Sequence, residues 1–138
     1  MSENKNSSES IIAKKAYAFA LEVVQVYKIL VHDKKEFVLS KQLLRAGTSV
    51  GANVNEAVSA QSKRDFVHKL SISLKEARET KYWLNLLKDS GYLATDSFIN
   101  LNDPCDEIIK ILSSIIITTK QRYFNVKDQN SKLITHNS

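Results

Sequence analysis

With three glycines, one proline and one cysteine among 138 residues, the chain lacks the residues that punctuate strands and turns. A sheet protein of this length would be short of turn chemistry, so long helices with few connections are the alternative. The single cysteine, Cys105, cannot form an intramolecular disulfide, and one thiol is no metal site. A reducing compartment is thereby permitted. No charged leader followed by an apolar stretch opens the sequence, because residues 1–10 are polar and rich in Ser, Asn and Glu, and secretion is not expected. The longest uninterrupted apolar run, Ala16 to Leu21, falls far short of the roughly 20 residues a spanning helix needs. The expectation is a cytoplasmic protein with no membrane partner.

Hydrophobic residues make up 43% of the chain, enough for one continuous core and a single domain. The net charge of +5 and a pI near 9.3 favour acidic partners such as nucleic acid. The 20 basic residues are interspersed with 15 acidic ones, a pattern that also describes an ordinary solvated surface. A binding stripe requires clustering on one face.

Four amphipathic segments follow. Ile12, Ala16, Phe19, Ala20, Val23, Val26, Tyr27 and Leu30 recur at helical spacing and predict a helix over Ser10–His32. The charged connector Asp33-Lys34-Lys35-Glu36 turns the chain back. A second helix is predicted over Val38–Ala60, opened at Ser40 or slightly before, with Leu43, Val50, Val54 and Ala57 as its stripe. Its two glycines, Gly47 and Gly51, stand one turn apart. They mark either a close approach by another backbone or a weakened, kinked helix.

Ser62-Lys63-Arg64-Asp65 resembles a capping box and opens a third helix over Lys63–Ser90. Its stripe is Phe66, Leu70, Leu74, Ala77, Leu84 and Leu87, and Gly91 stands where an αL cap would end it. Around Asn102-Asp103-Pro104 the spacing predicts a short turn over Ser97–Leu101, followed by a fourth helix from Asp103 to Tyr123 with Asp103 as cap and Pro104 at its first position. Cys105, Ile108, Leu112, Ile115 and Thr119 form its seam. Ile109, Ile111, Ile116 and Ile117 widen the apolar surface beyond the stripe of about 100° that a bundle helix hides, so a partner subunit is expected to cover this helix. Short connections force antiparallel neighbours, and the fold expected is all-α, an antiparallel up-down-up-down four-helix bundle over 10–124. A disordered segment, 1–9, and a polar, frayed tail, 125–138, flank it.

Arg45, Ser49, Asn53 and Glu56 share one face of the second helix, and Glu76, Glu79 and Trp83 one face of the third. Two carboxylates one turn apart suit general acid–base work or half of a carboxylate metal cluster. Di-iron bundles, however, need Glu-x-x-His from two helices. Glu76-Ala77-Arg78-Glu79 has no histidine, and His32, His68 and His136 fall in unrelated contexts. No metal, cofactor or catalytic site is therefore assigned. Ser49 and Ser73 have no histidine at helical spacing, Cys105 lies on an apolar seam, and Gly47 and Gly51 lack the lysine and hydroxyl of a P-loop. The reading adopted is structural: Arg45 binds Glu56, Glu76 or Glu79 in a network that fixes helix register. Removing Glu76 or Glu79 should cost about 3 kcal/mol if it strands a buried arginine. The residues proposed to touch nucleic acid are Lys63, Arg64, Lys69, Lys75, Arg78, Lys81, Lys120 and Arg122, and without a base-reading motif the contact would be sequence-tolerant.

The run Gln42-Leu43-Leu44-Arg45-Ala46-Gly47-Thr48-Ser49-Val50-Gly51-Ala52-Asn53-Val54-Asn55-Glu56-Ala57, followed by Asp65-Phe66-Val67-His68-Lys69-Leu70-Ser71-Ile72-Ser73-Leu74-Lys75-Glu76-Ala77-Arg78-Glu79-Thr80-Lys81-Tyr82-Trp83-Leu84, resembles the four-helix-bundle proteins named after 23S ribosomal-RNA intervening sequences. The likeness covers Ala16 to Thr118. Arg45, Ser49, Asn53, Glu56, Glu76, Glu79 and Trp83 stand at signature positions, and Ala57 replaces the glycine that often follows the glutamate. The resemblance implies a bacterial cytoplasmic protein that assembles as a ring, a homopentamer, akin to the basic accessory variability proteins of diversity-generating retroelements, which bind nucleic acid and a reverse transcriptase. The family name records where some of its genes reside and is no sign of rRNA processing. The function expected is that of a non-enzymatic homo-oligomeric binding or scaffold protein that touches RNA or DNA through a basic ring surface. The alternative is a protein-interaction module for a cytoplasmic partner, without nucleic acid.

Overall fold

A computed structural model describes residues 7–124; the expected tail and the first six residues lie outside the described part. Four helices follow one another: α1 (Ser7–His32), α2 (Leu39–Val58), α3 (Lys63–Asp89) and α4 (Thr95–Tyr123). Each packs on its chain neighbours, and α1 closes the bundle against α4. Among the described residues there is no strand. The fold is the expected all-α antiparallel four-helix bundle.

The stripes read from periodicity become the core. Ile12, Ala16, Phe19, Val23 and Leu30 of α1 bury against Leu43, Val50, Val54 and Ala57 of α2, Leu70, Ala77, Leu84 and Leu87 of α3, and Cys105, Ile108 and Leu112 of α4. Ser62 caps α3 by accepting the Asp65 N–H at 3.0 Å. At the other end Gly91 takes φ +84°. There the Gly91 N–H bonds the Lys88 carbonyl and the Tyr92 N–H the Leu87 carbonyl, the paired bonds of a Schellman ending.

Two local expectations change. The fourth helix starts at Thr95, not at Asp103, and runs unbroken through Pro104. Leu101 explains this: it is buried one turn before Cys105 on the same stripe, and only a helix continuing through the proline delivers both to the core. The carbonyl that loses its partner to proline belongs to Asn100, an exposed residue, so water can satisfy it. α2 opens at Leu39, just before Ser40, but its free N–H groups are met by Glu36 of the connector and not by a side chain at the cap position, Val38. The Glu36 carboxylate accepts the N–H groups of Val38 (3.1 Å), Leu39 (3.0 Å) and Ser40 (2.6 Å).

The surplus apolar surface of α4 is also largely covered from within. Ile116 is buried, while Ile109, Ile111 and Ile115 pack against the core, leaving Ile117 exposed. The apolar side chains that stand open lie elsewhere, among them Ile11, Tyr17, Leu21 and Ile29 along α1.

The glycines of α2 mark close approach. A Cβ on Gly47 would stand 2.8 Å from one Val23 methyl and 2.9 Å from the other, and one on Gly51 would stand 3.3 Å from the Ala16 carbonyl oxygen. Gly47→Ala therefore gains about 1 kcal/mol of helix propensity but forces a stiff β-branched neighbour aside at a cost of about 1–3 kcal/mol. A net loss of about 1 kcal/mol is expected in urea unfolding; an unchanged or raised midpoint would contradict the packing.

Burial pushes the Glu36 carboxyl up, but the N–H groups of Leu39, Ser40 and Val38 outweigh it and hold the group below its ordinary value of 4.5. The stabilisation is thus present in full above the unfolded value and fades as pH falls through the lower folded one. Glu36→Ala should cost about 1–2 kcal/mol at pH 7, and the gap between the two proteins should narrow below pH 4.5 in paired thermal melts.

Candidate functional site

The seven polar residues singled out on α2 and α3 lie along one seam, because antiparallel packing sets the first half of α2 against the middle of α3 and its end against the start of α3. They do not form one network. Arg45 reaches across to α3, where Nη1 stands 3.3 Å from both carboxylate oxygens of Glu76 and Nη2 pairs with Glu79. The Trp83 indole N–H donates to the same Glu79 oxygen at 3.0 Å. Ser49 and Asn53 turn back on their own helix, donating to the carbonyls of Arg45 (2.6 Å) and Ser49 (2.8 Å). Glu56, a turn further on, pairs with Lys69 at 2.9 Å and takes no part in binding Arg45.

The Arg45 cluster is a surface feature. Side-chain exposure is 47% for Arg45, 17% for Glu76 and 34% for Glu79. Burial works against the Arg45 charge, and Glu76 and Glu79 more than compensate, raising its pKa. The Glu79 carboxyl is lowered first by the Trp83 indole, against the opposing effect of burial, and further by Arg45. Both shifts favour the charged forms of Arg45 and Glu79, which reinforces the ion pair that ties α2 to α3. Neither Arg45, Glu76, Glu79 nor Trp83 lines the cavities beside Lys63 and Arg122, beside Leu30 and Leu93, beside Tyr17 and Gly51, or beside Glu22 and Pro104.

The eight basic candidates separate by occupation. Lys69 is tied to Glu56 and Lys81 to Asp106 of α4. Lys63 lies over the rings of Phe66 (5.6 Å) and Tyr123 (5.1 Å). Arg64, Lys75 and Arg78 are exposed at spacings that place them on one outward face of α3, and among the described residues none of the three forms an ion pair. Lys120 and Arg122 are exposed in the last turn of α4.

Sequence reasoning missed Tyr82. It continues the same outward face one turn beyond Arg78, is 60% exposed and meets Trp83 edge to face at 5.0 Å. Its signal was positional: an aromatic ring out of phase with the apolar stripe of α3.

Other chemistry finds no support in the geometry. Among the described residues no group of three His, Cys, Asp or Glu side chains could hold a metal ion. No described helix is long and apolar enough to cross a membrane. Cys105 is fully buried, donates to the Ala77 carbonyl at 3.3 Å, and burial pushes its thiol up to about 12. It is an inert packing group.

A family model described as 23S rRNA-intervening sequence protein matches residues 8–114. Among solved structures the chain is similar to a protein of unknown function from the S23 ribosomal protein family of Bacteroides thetaiotaomicron VPI-5482. The two are 49% identical, with 79% of this chain and 97% of that one covered and a TM-score of 0.78. No curated protein matches the sequence.

Half-exposure of Arg45 changes the energetic expectation for its partners. Removing Glu76 or Glu79 strands no buried charge, so Glu76→Ala and Glu79→Ala should each cost about 1 kcal/mol or less. Chemical denaturation of the two variants decides this; a loss near the roughly 3 kcal/mol of a buried pair would show that Arg45 is desolvated in solution.

Proposed function

Because the chain belongs to the 23S rRNA-intervening sequence protein family, we propose that it is a non-enzymatic, homo-oligomeric binding or scaffold protein that contacts nucleic-acid phosphates without sequence preference. The observation that carries this reading is the outward face of α3, where Arg64, Lys75 and Arg78 stand exposed while neighbouring lysines are occupied by carboxylates. At a rise of about 1.5 Å per residue the three span roughly 21 Å, the reach of about six phosphates along one strand. Guanidinium and ammonium groups so placed neutralise phosphates and release counterions, a contribution blind to base identity.

One chain offers few such contacts, and self-association multiplies them. Ile11, Tyr17, Leu21 and Ile29, each half or more exposed, supply an apolar side on α1 for a second copy to cover. A ring of five copies is the assembly we propose, the one that the sequence resemblance to the intervening-sequence proteins implies.

A second reading has its own support. Tyr82, Trp83 and Arg45 gather on one surface, and these residue types dominate protein–protein hot spots. A partner that survives nuclease treatment, with no retardation of RNA or DNA at low salt, would favour this alternative.

In light scattering at micromolar concentration the wild type should have a five-chain mass and Leu21→Glu a smaller one. A monomeric wild type removes the oligomeric half. Gel retardation of a mixed-sequence RNA should fall with salt at a log–log slope of about −2 or steeper and disappear when Arg64, Lys75 and Arg78 are all changed to Gln. Salt-insensitive binding removes the electrostatic half.

A further inference from the structure

One end of the bundle carries a cavity of about 430 Å³ between the first turns of α1 and α3 and the last turns of α4, within the size range of small-molecule sites. Among the described residues two cations border it, Lys63 and Arg122. Lys63 is held over the Phe66 and Tyr123 rings, which fixes the position of its charge. Arg122 presents a planar fork that matches two phosphate oxygens. Ser114 and Thr118, one turn apart on α4, add exposed hydroxyls at the wall, and Ile115 gives the cavity an apolar patch. Among the described residues one acid, Glu9, lines it.

We propose that this cavity binds a phosphate monoester carrying a nucleoside. Lys63 and Arg122 hold the phosphate, the hydroxyls of Ser114 and Thr118 donate to its remaining oxygens, the ring packs on Ile115 and Tyr123, and Glu9 accepts from a sugar hydroxyl. A bare anion would leave the apolar wall and Glu9 unused, and an uncharged nucleoside would leave both cations unused. The site is separate from the outward face of α3 and does not rest on the strand-binding reading. Two sources supply the same chemistry: a free nucleoside monophosphate and the 5′-phosphate end of a strand.

Isothermal titration of the full chain with adenosine 5′-monophosphate, adenosine and inorganic phosphate tests it. The monophosphate should bind with a Kd on the order of 1 mM or tighter, phosphate more weakly and adenosine weakest. Arg122→Gln, a change at an exposed position that should leave the melting temperature unaltered, should weaken the monophosphate roughly tenfold. Glu9→Gln should tighten inorganic phosphate. Equal binding of adenosine and its monophosphate, no heat with either phosphate, or an Arg122→Gln protein that binds as well as the wild type would each overturn the proposal.

Retardation of 5′-phosphorylated against 5′-hydroxyl RNA then separates the sources. Tighter binding of the phosphorylated strand, abolished by Arg122→Gln, identifies a strand end. Equal retardation beside monophosphate binding identifies the free ligand, and leaves the α3 surface to be judged by its own variants.

Discussion

Where α2 meets α1 it presents two positions without a side chain, and the packing around them depends on that close approach. Gly47 lies under the Val23 methyls and Gly51 under the Ala16 carbonyl, so the two backbones approach more closely than helices separated by leucines. Alanine at 46 and 57 keeps α2 slim along its buried side. The conformational cost of two glycines in one helix is offset by the packing they allow. A bulkier α2 would push α1 outward, widening its contact with α4 and loosening the core residues they share.

Polar contacts then select one register among the sliding positions that an apolar seam permits. The Ser73 hydroxyl donates to the Val50 carbonyl at 2.8 Å inside the α2–α3 seam, and the Cys105 thiol donates to the Ala77 carbonyl inside the α3–α4 seam. Arg45 with Glu76 and Glu79, and Glu56 with Lys69, repeat the α2–α3 register at the rim. Exposed pairs of this kind contribute little stability. Their geometry nevertheless penalises a one-turn slip, which would set Arg45 beside the wrong side chains.

The helices, their order and most of the core were legible in sequence because a 3.6-residue rhythm survives any tertiary arrangement. Failures occurred where a distant residue decides. The start of α4 was misplaced because Pro104 is a strong local signal for a first turn, whereas the burial of Leu101 that carries the helix through it depends on the other three helices. Glu36 was read as part of a charged connector, since nothing local shows that three N–H groups converge on its carboxylate. The seam of α4 looked too broad for one chain because Ile109 and Ile111 flank its stripe on opposite sides, yet both pack against the core of their own bundle. The Arg45 acceptors were narrowed to three carboxylates, of which two pair with it, but its half-exposure was invisible, since periodicity places a residue on a face and does not report how deep that face lies.

The same distinction governs the charge. A net +5 describes a uniform excess, yet cross-helix partners redistribute it: Glu56 and Asp106 occupy Lys69 and Lys81, and two aromatic rings hold Lys63. Among the basic residues without an ion pair, two sets stand close together, the outward face of α3 and the end of the bundle around Arg122. Their chemistry differs. Arg64, Lys75 and Arg78 project from a convex helix and can only track an extended backbone, whereas Lys63 and Arg122 border a concavity whose hydroxyls and apolar wall can distinguish one small ligand from another. Screening by salt acts most strongly on the convex set, because solvated charges lose their reach over about 10 Å at 0.1 M while charges beside low-dielectric walls keep more of theirs. The two surfaces therefore respond differently to ionic strength even though the same residue types build them.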